Sequence, residues 1–199
     1  MESSNKFLDV LYKYRFSRNF IYQILKARAK NLTQTVSPYL SKDELILDIG
    51  PASCTVTETL LQQGLRVFPA DIENFSIVDT VLPTLYDGHR LPFRDNQFGT
   101  ALILFVLHHT PDPAEILIEA KRVSRRILVF EDIVTSPTHK SLTAALDSLV
   151  NLEFFDQPHT NKSDQEWRSL FGKLDLKLLG REYKSSMLIM KHALYFLEK

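Results

Sequence analysis

The sequence has little cysteine, little glycine and no long apolar run, and each shortage excludes a class of protein. The single cysteine, Cys54, excludes an internal disulfide and any zinc site built from several cysteines. The longest apolar run, residues 101–107, is far too short to cross a bilayer as a helix. The first residues lack the basic-then-apolar layout of a secretory signal. We therefore expect a soluble, cytoplasmic protein.

An excess of charge of one sign is also missing, because 24 Lys and Arg side chains balance 24 Asp and Glu. Residues 1–40 carry seven basic and two acidic side chains, residues 41–120 four and twelve, and residues 121–199 thirteen and ten, which gives +5, −8 and +3. A basic start followed by an acidic body argues against a nucleic-acid cleft through the centre. With 199 residues and 44% hydrophobic side chains, we expect one globular domain with an appendage.

The appendage is residues 1–40, where apolar side chains recur at helical spacing up to Pro38. They include Phe7, Leu11, Tyr14, Phe20, Ile21, Ile24 and Leu25. This pattern is typical of an amphipathic helix that packs on the domain. The alternatives are a lid over a pocket and a helix on a membrane surface. We treat residues 1–40 as a helical lid and residues 41–199 as the main domain.

The main domain alternates between short strands and helices. Strands are predicted at 45–49, 66–70, 84–86, 100–107, 126–132, 176–183 and 191–197, and helices at 55–63, 112–123, 142–152 and 163–173. Capping boxes are predicted for Thr55 with Glu58 and for Ser163 with Glu166, and an N-cap for Asp112. Only seven residues separate the last two strands, so that pair should be antiparallel. The prediction is an α/β fold: a Rossmann-like, seven-stranded, mostly parallel sheet with helices on both faces and a C-terminal antiparallel hairpin.

Acidic residues stand at the carboxyl ends of the predicted strands, where open α/β sheets bind their ligands. They are Asp48, Asp71, Asp87, Glu131 and Asp132. Asp71 lies 21 residues after Gly50, close to the spacing at which an acid accepts both hydroxyls of a ribose without a 2′-phosphate. The alternative for each loop acid is capping of a helix or turn.

The loop after the first strand reads Gly50-Pro51-Ala52-Ser53-Cys54, with one glycine where a dinucleotide fold needs three. Pro51 also removes an N–H that a pyrophosphate would use. A ligand with ribose and adenine but no phosphate fits better. S-adenosylmethionine is such a ligand, and its positive sulfonium matches the −8 balance of residues 41–120.

Five segments in order now carry a family resemblance. They are Leu47-Asp48-Ile49-Gly50, Asp71, Asp87 with Leu91-Pro92-Phe93, Val106-Leu107-His108-His109 through Asp112-Pro113, and Glu166-Trp167. Over residues 45–132 the sequence resembles class I S-adenosylmethionine-dependent methyltransferases of the small-molecule type that includes the quinone-biosynthesis enzymes.

The resemblance implies roles for particular residues. Asp48 and Gly50 would line the methionine end of the cofactor, Asp71 would hold the ribose hydroxyls, and Asp87 with Gly88 would meet the adenine edge. Phe105 would contact the cofactor, with core packing as its alternative. We add Ala52 and Ile72 to this cofactor-binding set. Ala52 and Cys54 replace two family glycines, at a cost of about 1 kcal/mol wherever φ must be positive.

His108 and His109 are the candidate catalytic residues. Methyl transfer depends mainly on positioning, and a base helps only where the acceptor must lose a proton. The alternative is that one histidine caps the following helix and the other packs. No partner base is evident for Cys54 as a nucleophile, and the scattered histidines show no metal-ligand spacing.

The function predicted is S-adenosylmethionine-dependent methyl transfer to a small or lipophilic acceptor by in-line displacement. The alternative is a degenerate methyltransferase fold that serves as a binding or regulatory module. A nicotinamide-dependent oxidoreductase, a third class, is disfavoured by the missing glycines.

Overall fold

The alternation of strands and helices is present in a computed structural model, which describes residues 15–134, 160–186 and 190–199. The helices are α1 (Arg15–Val36), α2 (Thr55–Gln62), α3 (Pro113–Val123) and α4 (Asp164–Lys173), with 3₁₀ turns at Ser37–Tyr39 and Leu107–His109. The strands are β1 (Leu45–Ile49), β2 (Arg66–Asp71), β3 (Thr84–Leu85), β4 (Phe98–Leu104), β5 (Ser124–Asp132), β6 (Lys177–Ser186) and β7 (Met190–Glu198). The helix predicted at 142–152 lies outside the described residues.

The strands form one seven-stranded sheet in the order β3-β2-β1-β4-β5-β7-β6, which confirms the predicted fold class. Neighbours from β3 to β5 are parallel, whereas β7 pairs antiparallel with both β5 and β6. The chain runs outward from β1 to β2 on one side and returns to β4 on the other. The topological switch point therefore lies between β1 and β4, where a ligand cleft is expected.

The fourth strand is displaced from its predicted position, because it runs over Phe98–Leu104 and not over 100–107. Phe105 has a φ of +60°, a left-handed conformation that ends the extended backbone. Its N–H still donates to the carbonyl of Phe130, at 2.8 Å. Apolar composition alone could not reveal this turn, because residues 105–107 are as apolar as the strand.

The cap predicted for α2 is wrong, and the other two are confirmed. The N-cap of α2 is Cys54, without a side-chain cap. The Glu58 carboxylate instead accepts from the Tyr22 hydroxyl at 3.0 Å and from Lys26 Nζ at 2.5 Å, which ties α2 to α1. The box of Ser163 with Glu166 starts α4, and Asp112 accepts from the Ala114 N–H at the start of α3.

Two apolar layers lie on the two faces of the sheet. One contains α3 and α4 and buries Trp167 and Phe171. The other lies under α2 and the second half of α1, whose Ala29, Thr33 and Val36 are fully buried. The first half of the described helix packs on the domain as well, because Ile21, Tyr22 and Leu25 contact a third apolar cluster formed by Cys54, Ile77, Val78 and Val81. Among the described helices, none combines the length and apolarity needed to span a membrane.

Candidate functional site

The loop after β1 alternates in and out of the left-handed region. Gly50, Ala52 and Cys54 have φ values of +69°, +45° and +57°. A Cβ on Gly50 would lie 2.7 Å from Val106 Cγ2, so only glycine lets this loop meet the loop after β4. The two positions where the family resemblance implies glycine do have positive φ, and the side chains of Ala52 and Cys54 each cost about 1 kcal/mol there.

The Asp71 carboxylate, at the end of β2, connects to this loop. Its Oδ2 accepts the Ala52 N–H at 3.0 Å, and its Oδ1 accepts the Ile72 N–H at 2.8 Å. The side chain is largely buried, and burial raises its pKa. Because each oxygen retains a second lone pair, the carboxylate can still accept hydroxyls from a ligand.

Asp48, in β1, is a second buried acid in the same place. The Thr57 hydroxyl donates to its Oδ2 at 2.6 Å. Burial, reinforced by the charge of Asp71, raises the pKa of Asp48 to about 6. Within the described residues no basic side chain forms an ion pair with either acid. The switch point therefore presents two nearby carboxylates whose charge a cation would stabilise.

The predicted adenine side is built from Ile72 and the turn at Asp87 and Gly88. Asp87 Oδ1 accepts the N–H groups of His89 and Arg90, at 2.9 and 2.8 Å, and these bonds lower its pKa. Asp87 is thus a turn cap, the alternative reading of a loop acid. Ile72 is 62% exposed, and its Cγ2 lies 3.4 Å from where a Gly88 Cβ would be. These residues leave an apolar surface open beside Asp71.

Phe105 directly follows β4 and precedes the 3₁₀ turn at Leu107–His109. Its ring centroid is 4.9 Å from that of Phe130 and 5.3 Å from that of His192. The guanidinium carbon of Arg28, from α1, lies 5.6 Å from the Phe105 ring centroid. The ring is half-buried and packs against the apolar layer under α1 and α2, which is the packing alternative for this residue.

The two candidate catalytic histidines follow Phe105. His108 is fully buried, and its Nδ1 lies 2.5 Å from Glu131 Oε2. The other oxygen, Oε1, accepts the N–H groups of Val106 and Leu107, at 2.9 and 2.7 Å. The rings of His108 and His109 are 4.0 Å apart. Glu131 thus fixes the loop after β4, and a catalytic role for the two histidines stays a prediction.

Cysteine and metal chemistry find little support in the described residues. Cys54 is fully buried, and burial raises the pKa of its thiol to about 11. It therefore stays a thiol near neutral pH, a poor nucleophile. No group of three His, Cys, Asp or Glu side chains able to hold a metal ion occurs in the described parts of the chain.

Sequence reasoning missed the partners of the acids that end β5. Glu131 and Asp132 were placed at a strand end, but their histidines, His108 and His192, come from distant segments. His192 is the register partner of Asp132 in the antiparallel pair of β5 and β7. The sequence predicts the final hairpin but not which strand it joins, so this pairing had no local signal.

Comparison with known proteins now bears on this geometry. Residues 47–127 match the model of a methyltransferase domain family. The fold matches a SAM-dependent methyltransferase from Methanosarcina mazei with a TM-score of 0.66 and 17% identity, over 82% of this chain and 96% of that one. It also matches one from Aquifex aeolicus (TM-score 0.59, 13% identity, 86% and 98% covered). A third match is geranyl diphosphate methyltransferase in complex with SAM (0.63, 12%, 87% and 84%). A search of curated protein sequences finds no match.

The fold is that of the class I S-adenosylmethionine-dependent methyltransferases, which confirms the resemblance in the sequence. The part of the chain that matches the methyltransferase family model begins within β1 and ends within β5. The finer resemblance to quinone-biosynthesis enzymes stays a prediction.

Proposed function

We propose that this protein binds S-adenosylmethionine at the switch point and transfers a methyl group to a small or lipophilic acceptor. The observation that carries the proposal is the pair of buried acids, Asp48 and Asp71, on either side of the loop after β1. Two buried carboxylates without a basic partner among the described residues favour a cationic ligand. The open surface of Ile72 suits the flat face of a base.

The residues fit the cofactor by the chemistry of their groups. Asp71 would offer acceptor oxygens to ribose hydroxyls, and Asp48 would place a negative charge near the methionine end. Ile72 and Gly88 would border the adenine. When bound, S-adenosylmethionine supplies a methyl group already activated by its positive sulfonium.

The contribution of the chain's own residues would be to position the cofactor and to shield the reacting groups from water. The close approach of Gly50 and Val106 brings the two loops of the switch point together. We propose that Phe105, next to Val106, borders the cofactor on the β4 side. We propose that α1 covers this edge, as the lid prediction has it. Its Arg18 donates to the Ile77 carbonyl at 3.1 Å and pairs with Asp79. Such a cover would exclude water from the reacting groups.

Calorimetric titration of the full chain with S-adenosylhomocysteine tests the proposal. We expect binding by the wild type and a loss of about 1.5–3 kcal/mol in Asp71→Ala, the usual range for hydrogen bonds to a charged group. The matched control is Asp43→Ala, an exposed acid just before β1 at the opposite edge of the sheet. A wild type without heat or thermal shift refutes the proposal, and equal losses in both variants refute the role of Asp71.

A degenerate binding module is the second candidate, and the loop after β1 is the observation that favours it. Ala52 and Cys54 occupy glycine conformations, and Asp71 already accepts two backbone N–H groups. Such a module would bind S-adenosylhomocysteine without consuming S-adenosylmethionine in the presence of a panel of hydroxyl, amine and thiol acceptors. Turnover with any acceptor excludes it.

A further inference from the structure

The strand β6 lies at one end of the sheet and pairs on only one side. It is antiparallel to β7, and within the described parts of the chain no strand lies beyond it. Most of its side chains are exposed, and Tyr183 is 52% exposed. An edge strand of ten residues offers a row of backbone N–H and C=O groups to a further strand. A strand from another chain can therefore extend the sheet at this edge.

The regular part of β6, which we call the β6 edge, is residues 180–186. The register with β7 shifts between Leu178 and Gly180, so a bulge interrupts the strand just before this segment. From there to Ser186 each residue pairs with one residue of β7. Tyr183 is the midpoint of the segment. A second copy, related by a two-fold axis that passes through the sheet at Tyr183, would therefore pair antiparallel with the whole β6 edge.

The charges of the β6 edge are complementary about that axis. Glu182 and Lys184 lie on the same face of the sheet, both partly exposed, and Lys184 Nζ is 3.5 Å from Glu182 Oε2. With Tyr183 on the axis, Glu182 of one copy lies directly opposite Lys184 of the other, and the reverse pair forms across the axis. The four charges then alternate in sign, and opposite charges in such cross-strand pairs are stabilising.

Neighbouring registers are disfavoured by the same side chains. A two-fold axis at Arg181, at Glu182 or at Lys184 places two identical charges directly opposite each other, which is destabilising. An axis at either end of the β6 edge pairs only a few of its residues. Charged side chains on an edge strand usually prevent association, but here their order permits one register and opposes the others.

Tyr183 and the overall charge also favour a second copy as the occupant. The two Tyr183 side chains would lie directly opposite each other on the face away from Glu182, as an aromatic cross-strand pair. The guanidinium carbon of Arg181 lies 5.5 Å from the Tyr183 ring centroid and covers it within each copy. The chain carries 24 basic and 24 acidic side chains, so no net charge opposes the approach of two copies.

We propose that two copies of this chain associate through the β6 edge, in the antiparallel register centred on Tyr183. The two seven-stranded sheets then form one continuous sheet. The switch point lies between β1 and β4, away from this edge, so both copies keep the proposed cofactor site and the proposal does not depend on methyl transfer. A pairing this short buries less area than a standard interface, so the dimer should form reversibly at micromolar concentrations.

Sedimentation velocity of the full chain, from low to high micromolar concentration, tests the proposal. The wild type should shift from the mass of one chain to that of two. Lys184→Glu and Glu182→Lys should each weaken the dimer at least about tenfold, because each places two like-charge pairs across the axis. An equimolar mixture of these two variants should form a heterodimer, because an acidic edge then faces a basic one. Lys177→Glu, an exposed change in β6 before the bulge, is the matched control and should dimerise as the wild type does.

Three results would overturn the proposal. A wild type that stays monomeric at the highest concentration excludes the dimer. Charge variants that dimerise as well as the wild type place the interface elsewhere, and a mixture that stays monomeric contradicts the register. If circular dichroism shows Glu182→Lys, which loses the hydrogen bond from Tyr39, to be unfolded, Tyr183→Asp takes its place beside Lys184→Glu, and both should be monomeric. S-adenosylhomocysteine calorimetry on the same samples tests the cofactor proposal separately.

Discussion

Replacing Asp48 by Asn tests whether the switch point is built for a positive charge at the expense of stability. Burial raises the pKa of Asp48 to about 6 in the folded chain, against 3.8 for an ordinary Asp. The folded state therefore holds the proton more tightly. The stabilisation of the folded state by this tighter proton binding is complete below about pH 4 and is lost as the pH rises through about 6. The difference between the two pKa values corresponds to a loss of about 3 kcal/mol in the free energy of unfolding between acidic and neutral pH.

Asn keeps the size of Asp48, and its Oδ1 can still accept the Thr57 hydroxyl. We expect Asp48→Asn to raise the free energy of unfolding at about pH 7.5 by about 1–3 kcal/mol. The fall in stability of the wild type between about pH 4 and 6 should flatten in the variant. Urea denaturation across this range measures both effects, with Asp43→Asn as the control for an exposed acid.

The same variant should bind S-adenosylmethionine less well relative to S-adenosylhomocysteine, since only the former carries the sulfonium charge. Asp48→Asn should therefore reduce the affinity ratio of the two ligands, whereas Asp43→Asn should leave it unchanged. A variant that is no more stable than wild type and has an unchanged ratio would refute the reasoning, because Asp48 would then be neither destabilising nor electrostatically coupled to the ligand.

Two further predictions concern the loops of the switch point. Ala52→Gly and Cys54→Gly remove side chains that crowd the proposed cofactor loop, so each should tighten S-adenosylhomocysteine binding by up to about fivefold in calorimetry, a gain of about 1 kcal/mol. Unchanged affinity in both would show that steric crowding by these side chains does not limit the site. Gly50→Ala places a Cβ 2.7 Å from Val106, at a φ of +69°, so its thermal midpoint should fall well below that of wild type. Adding Val106→Ala should recover part of that loss, and no recovery would mean that backbone strain alone sets the cost.

Much of the fold could be predicted because its information is local. The apolar stretch of β1, the N-cap at Asp112 and the box at Ser163 depend on neighbouring residues, and the structure confirms each. The end of β4 was missed because the left-handed turn at Phe105 falls inside an unbroken run of apolar residues, so composition shows no change where the strand stops.

The residues of the candidate site also fall into two groups, those that local sequence predicts and those that depend on distant strands. Asp48, Gly50 and Asp71 lie at or next to the ends of strands that the sequence predicts, and parallel strands bring their carboxyl ends together without further information. His192 reaches the same edge through the antiparallel pairing of β7 with β5. Its position depends on strand order and register, which no local pattern encodes.

The adjacency of Glu131 and Asp132 in β5 has a mechanical consequence. Glu131 holds the His108 loop on one face of the sheet, and Asp132 holds His192 on the opposite face. Both pairs therefore depend on the same alternation of side chains along β5. An inserted residue earlier in β5 would exchange the faces of the two carboxylates and break both pairs at once. The register of β5 thus fixes both histidine–carboxylate pairs, although His108 and His192 are 84 positions apart in the chain. Insertion or deletion of one residue in the middle of β5 should therefore disrupt both histidine–carboxylate pairs together.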